Sequence, residues 1–255
     1  QAFMRQRLRY EAGRLLDAGG RGVMMGWEAP LMERHAEALL PEEQADVLNI
    51  GFGLGLVDGY LQERSPRSHT IIEAHPDVIA EMRRRGWHDK RGVTIRDGRW
   101  QDVVGELPAQ SFDAVFVDTW RETYAEVLSL FEALPRLLRK GGRFSFFNGF
   151  APHSIFQHAV FCRMAQEDLS ELGLCCDMLP VDVGALGDDV WQGIRQRYWF
   201  FGTYYLPLAR LGPPSSGAPA DHGGASAWRR WPSPPVRTTD GIGPSVCFSP
   251  KSDDS

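Results

Sequence analysis

The sequence predicts an α/β fold: a mostly parallel sheet with helices on both faces. Three observations carry this. Short apolar runs alternate with helical periodicity between residues 46 and 208, a glycine-rich turn follows the first run directly, and an acidic residue closes the second run, 22 positions after Gly51.

Taken in order, residues 1–45 read as a helical lid. Leu8, Ala12, Leu15 and Leu16 recur at helical spacing, as do Leu31, Ala36, Leu39 and Leu40. Pro30 suits the first turn of the second helix and Pro41 marks its end. Residues 46–208 carry the alternation. The strand candidates are 47–51, 69–73, 93–95, 112–118 and 143–148, and the helices between them start near Leu56, at Pro76 and near Tyr124. Tyr124, Val127, Leu128, Phe131 and Leu134 predict one long helix that ends at Gly141-Gly142. A helix over 155–172 then precedes two closing strands, 175–181 and 198–205. Five strand–helix units followed by two closing strands is the count of the class I S-adenosylmethionine-dependent methyltransferase fold, Rossmann-like with a seven-stranded sheet. From 209 to 255 the composition changes: eight of the 17 prolines lie there among Gly and Ser, with few aliphatics. Such a segment cannot offset its ordering entropy by apolar burial and reads as a disordered tail. Trp228-Arg229-Arg230-Trp231 is its one candidate docking peptide, and an uncommitted tail is the plainer reading.

The composition excludes several classes. With 255 residues, 43% hydrophobic, 24% charged and a net charge of −5, the chain has no global basic field for nucleic-acid binding. No apolar run approaches the ~20 residues of a membrane helix. Cys162, Cys175, Cys176 and Cys247 form no CxxC pair, and reduced, mostly buried thiols in a reducing compartment are expected. The histidines lack metal-ligand spacing, so no metal is expected. His153 falls near the fifth strand's exit, where a surface role at a helix start is the plain expectation.

Four motifs carry chemistry. In Gly51-Phe52-Gly53-Leu54-Gly55, glycines let the backbone turn and approach a ligand at a strand's carboxyl end. Glu73 stands where a carboxylate accepts hydrogen bonds from ribose hydroxyls. These two features alone fit both a nicotinamide dinucleotide and S-adenosylmethionine. Gly98-Arg99-Trp100-Gln101-Asp102 supplies a flat partner and a polar edge for adenine, and no phosphate-cradling pattern is complete; both favour S-adenosyl-L-methionine. Asp118 ends the fourth strand at the topological switch point, and Glu28 in Val23-Met24-Met25-Gly26-Trp27-Glu28 is a carboxylate in an apolar context that needs a partner.

In order along the chain, Met24-Met25-Gly26-Trp27-Glu28, Gly51-Phe52-Gly53-Leu54-Gly55, Glu73-Ala74-His75-Pro76, Gly98-Arg99-Trp100-Gln101-Asp102, Asp118-Thr119 and Phe146-Phe147-Asn148-Gly149 resemble the guanidino methyltransferases. The likeness, over about residues 3–208, is nearer to the fungal and plant-type (type IV) protein arginine methyltransferases that modify the internal δ nitrogen than to guanidinoacetate N-methyltransferase. The resemblance implies a protein arginine N-methyltransferase. Phe3, Met24, Phe52, Gly53, Leu54, Gly55, Leu56, Val57, Glu73, Ala74, His75, Trp100, Gln101 and Asp118 would hold the cofactor. Glu28, Asp118, Asn148 and Gly149 would hold the substrate, with Glu28 and Asp118 catalytic. It further implies an arginine-containing protein substrate such as a ribosomal protein, a cytoplasmic or nuclear location, and a longer parent chain, since that family carries an ankyrin-like region before the catalytic part. A small-molecule guanidino methyltransferase and a non-catalytic cofactor-binding scaffold are the alternatives.

Overall fold

In the computed structural model the described residues are 3–40, 44–120 and 123–212. The expected helical lid over 1–45 is corrected at once. Strands β1 (Arg9–Glu11), β2 (Arg14–Leu16) and β3 (Gly22–Met25) form a small antiparallel sheet in the order β1-β2-β3. Among the described residues there, α1 (Ala29–Leu39), with Pro30 in its first turn, is the one α-helix, beside two single 3-10 turns at Phe3–Arg5 and Gly26–Glu28. Turn chemistry overrides the apparent helical spacing. Gly13 has φ +70° in the link between β1 and β2. The Asp17 carboxylate accepts the N–H groups of Gly19 (2.8 Å) and Arg21 (2.9 Å), closing the next turn. Leu15 and Leu16 are buried all the same, from a strand instead of a helix.

The main sheet is built from β4 (Asp46–Ile50), β5 (Ser68–Glu73), β6 (Val93–Asp97), β7 (Phe112–Val117), β8 (Leu138–Phe146), β9 (Leu174–Asp182) and β10 (Thr203–Leu211). Its seven strands run in the order β6-β5-β4-β7-β8-β10-β9. Pairings among β4 to β8 are parallel, and β10 runs antiparallel to both β8 and β9. The connecting helices are α2 (Leu56–Glu63), α3 (Pro76–Arg84), α4 (Trp100–Val103), α5 (Tyr124–Phe131), α6 (Leu134–Leu137) and α7 (Ile155–Glu171).

Successive strand residues feed opposite faces. Val47, Ala114 and Phe116 pack with α1, α2 and α3, while Leu48, Ile50 and Val115 pack with α4 to α7. Every residue of β4 is buried, as expected for a central strand covered on both sides. The class I methyltransferase architecture expected from the sequence is the one observed.

Three boundaries differ from the sequence reading. The long helix after Tyr124 is two helices, because Pro135 has no N–H to continue the ladder and starts α6 instead. Gly141-Gly142 does not end a helix but lies inside β8, where Gly141 has φ +79° and the register with β7 shifts. The last strand begins at Thr203, not Tyr198, because Tyr198 and Trp199 are taken up by a side-chain cluster with Trp27 and Trp191. It continues to Leu211, so residues 209–211 of the expected tail belong to the sheet. Residues 213–255, including the Trp228–Trp231 motif and Cys247, lie outside the described residues. Cys162 and Cys176 are buried free thiols and Cys175 is exposed. Among the described residues, no helix is long and apolar enough to cross a membrane and no cluster of side chains could hold a metal ion.

Candidate active site

The carboxyl ends of β4, β5 and β7 meet around Gly51. Its N–H donates to the Ile72 carbonyl, and the Asp118 N–H donates to the Ile50 carbonyl, both at 2.9 Å. Gly51 has φ +92°, and a Cβ there would stand 1.9 Å from the Asp118 carbonyl oxygen. Only glycine permits this approach, so the turn and the Asp118 segment are locked together.

Glu73 is buried at the end of β5. Its Oε2 accepts the Phe52 N–H (2.8 Å), and its Oε1 accepts the N–H groups of Ala74 and His75 (2.7 Å each). Burial raises its carboxyl above the ordinary value, and the three N–H donors oppose that rise. His75 Nδ1 accepts the Asp77 N–H, which places the ring proton on Nε2; that nitrogen is buried and has no hydrogen-bond partner among the described residues. The small sheet closes over this end. The Tyr10 hydroxyl donates to the Gly53 carbonyl (3.0 Å), the Leu54 N–H contacts Met24 sulfur (3.2 Å), and the Phe3 ring lies 5.1 Å from His75.

Between these walls runs a cleft of about 610 Å³. Of the residues expected from the sequence, it is lined by Phe3, Met24, Glu28, Gly53, Glu73, Ala74, His75, Trp100, Gln101, Asp118 and Gly149. Phe52, Leu54, Gly55, Leu56, Val57 and Asn148 do not line it. Phe52 packs its ring edge-on against Trp87 and gives the site only its backbone N–H. Leu56 starts α2 and Val57 is core, so the expected wrap by 52–57 reduces to Gly53. Asn148 turns inward: its Nδ2 donates to Cys162 sulfur and the Tyr205 carbonyl.

At the far end stand the two carboxylates. Glu28 closes a short turn after β3 and is 2% exposed. Its Oε1 accepts the Met25 N–H (2.9 Å) and also the Tyr198 hydroxyl. Burial, and then the charge of Asp118, push its carboxyl well above the carboxylate range. Asp118 is half-buried on the cleft wall, and desolvation and then the charge of Asp58 raise it as well. Asp58 belongs to a fully buried set behind the turn: Asn49 Nδ2 donates to Asp58 Oδ1 (2.7 Å) and to the Gly51 carbonyl (2.9 Å), and His69 Nε2 lies 3.2 Å from the same Asp58 oxygen. Two carboxyls lining one cleft, once ionised, can accept hydrogen bonds from a cation that carries several N–H donors.

Sequence reasoning missed Tyr198, Trp120 and Phe147, all of which line the cleft, and the Asp58–His69 pair behind it. The one available signal for Tyr198 was the aromatic density of Tyr198-Trp199-Phe200-Phe201, which read as strand.

Residues 6–157 match the family model for guanidinoacetate N-methyltransferase. The chain is 43% identical over 212 residues to protein arginine N-methyltransferase 2 of Aspergillus fumigatus, covering 82% of this chain and 50% of that protein. It is 35% identical over 215 residues to the protein of the same name from Saccharomyces cerevisiae, covering 81% and 52%. The chain thus spans about half the length of these relatives. Among solved structures it is similar in fold to spermidine synthase from Thermotoga maritima (TM-score 0.57, 18% identity, 81% of this chain and 70% of that one). The N-methyltransferase NodS from Bradyrhizobium japonicum is also similar (TM-score 0.53, 15% identity, 73% and 97%).

Proposed function

The chain belongs to the family described by the guanidinoacetate N-methyltransferase model, and from that premise, with its relatives named protein arginine N-methyltransferase 2, we propose that it methylates a guanidino nitrogen of arginine in a protein, the internal δ nitrogen, using S-adenosylmethionine. The observation that carries this reading is that Glu28 and Asp118 line one cleft, near enough for the Asp118 charge to act on Glu28.

The residues fit the cofactor. Glu73 Oε2 accepts one protein N–H and keeps a lone pair for a ribose hydroxyl. The unpartnered His75 Nε2–H is a buried donor on the same wall. Trp100 and Gln101 line the side expected for adenine. A cleft of about 610 Å³ lies within the range of roughly 300–1,000 Å³ usual for such sites. When bound, S-adenosylmethionine supplies an electrophilic methyl group on a sulfonium.

The protein's own work is to present the nitrogen. A guanidinium is planar, carries five N–H donors and stays protonated at neutral pH. Glu28 and Asp118 accept forked hydrogen bonds from it, fix its plane and draw its charge away from the attacking nitrogen. The raised proton affinity of Asp118 suits its carboxylate to take the proton that the substituted nitrogen releases. The small β1–β3 sheet excludes water over the cofactor end.

Incubation with labelled cofactor and an arginine-containing ribosomal protein, followed by fragmentation mass spectrometry, tests the reading. Label on the δ nitrogen is expected; label only on terminal nitrogens, or none on protein, overturns it. The family-model match over residues 6–157 favours one second reading, methylation of a small guanidino compound, and guanidinoacetate in a parallel tube separates the two. We place the substrate encounter in the cytoplasm or nucleus.

A further inference from the structure

We propose that Tyr198 is a positioning residue for the guanidino substrate, and that the long connection between β9 and β10 which carries it is part of the active site. This rests on the function proposed above.

Both hydrogen bonds of the Glu28 carboxylate, from the Met25 N–H and the Tyr198 hydroxyl, fall on Oε1. One donor is fixed by the turn that carries Glu28; the other arrives from 170 residues away. Pinning Oε1 from two directions fixes the carboxylate plane and leaves Oε2 as the acceptor available to an N–H entering the cleft, which Glu28 and Tyr198 both line. The tyrosine ring is itself held, 5.2 Å from Trp191 and 5.8 Å from Trp27. Packing in that aromatic cluster needs only the ring; the hydroxyl, which the Trp27 side chain also reaches, donates its proton to Glu28. The connection is also tied to the lid sheet: Arg14 Nη1 donates to the Gln192 carbonyl (2.7 Å) and the Arg195 N–H to the Gly20 carbonyl (2.9 Å).

A phenol donating to a carboxylate favours the ionised form, the form that receives a cation. The groups acting on Glu28 are Asp118 from the end of β7, Tyr198 from the connection, and the Met25 N–H; Tyr204 of β10 also senses the Glu28 charge. Asp118 disfavours ionisation of Glu28, and Tyr198 counters it.

The test is Tyr198→Phe, assayed for methylation of an arginine substrate across pH, with S-adenosylmethionine affinity measured by calorimetry. Expected are a KM for the guanidino substrate raised about tenfold or more, an acid limb of kcat/KM moved to higher pH, and unchanged cofactor affinity. In the double variant with Glu28→Gln, the tyrosine change should add nothing further. Substituting 3-fluorotyrosine at 198 keeps the shape and strengthens the donor, so the limb should move to lower pH. That variant decides the matter should the phenylalanine protein fail to fold. An unmoved limb and wild-type KM in an active enzyme overturn the role of Tyr198 alone. A wild-type chain that methylates no guanidino compound removes the functional reading and this proposal together.

Discussion

Glu28 and Asp118 both resist losing their protons, through desolvation first, and then through the Asp118 charge acting on Glu28 and the Asp58 charge acting on Asp118. Two consequences follow at this scale. In the function proposed, a cation is received only when both are ionised, so kcat/KM should climb with pH through the neutral range, well above where ordinary carboxylates titrate. Glu28→Gln and Asp118→Asn should each lower kcat/KM by about 10²–10⁴-fold, and normal turnover in both would refute their assignment. The second consequence concerns the empty protein. Both folded-state pKa values lie above the unfolded ones, so between those values the unfolded chain holds fewer protons and stability falls as pH rises. Thermal melts should show ligand-free wild type losing stability between mildly acid and mildly alkaline pH. Glu28→Gln should lose less, and the two curves should converge in acid. Glu73 and Asp118 stood out in the sequence because each closes a strand run near the glycine turn, and Glu28 because it is a carboxylate in an apolar context. Tyr198 did not, since no local pattern links positions 170 apart. Asn148 was expected at the substrate, and the structure bonds its side-chain amide inward, to Cys162 and Tyr205.

Among elements, the parallel strands were readable because their apolar runs end at punctuating residues: Gly51 after β4, Glu73 before Pro76, Asp118 after β7. The lid was misread because Leu8, Ala12, Leu15 and Leu16 satisfy helical spacing by coincidence, while Gly13, Asp17 and Gly20 dictate turns. Two glycines separate site from scaffold. Gly51→Ala forces a Cβ onto the Asp118 carbonyl at positive φ, and should destabilise the fold by about 2 kcal/mol or more and weaken cofactor binding. Gly59, inside α2 with open space around its Cα, is the opposite case. Gly59→Ala should stabilise by about 0.5–1 kcal/mol without touching activity. Chemical denaturation and calorimetry of the two variants check both expectations; equal effects would show that the turn is not a close-approach site.

For the whole molecule, the sheet order placed five strands as the alternation implied, and the closing pair followed a rule that the sequence does not display: β10 sits between β8 and β9. Among the described residues β9 pairs only with β10, so its place in the sheet depends on a strand that follows it by a 20-residue connection, 183–202. Cutting the chain after residue 202 should leave β8 with an open edge and β9 without a partner, and light scattering should report aggregation. A soluble, cooperatively melting fragment would contradict that dependence.

The same strand order sets a schedule on the ribosome. About 65 residues separate the end of β8 from the end of β10, which at about 5–20 residues per second leaves the nascent sheet unfinished for roughly 3–13 seconds. Through that interval the growing polypeptide displays an adhesive border that any neighbouring polysome product could extend. Slow codons inside 183–202 would lengthen the hazard, and chaperone capture at that stage would shorten it.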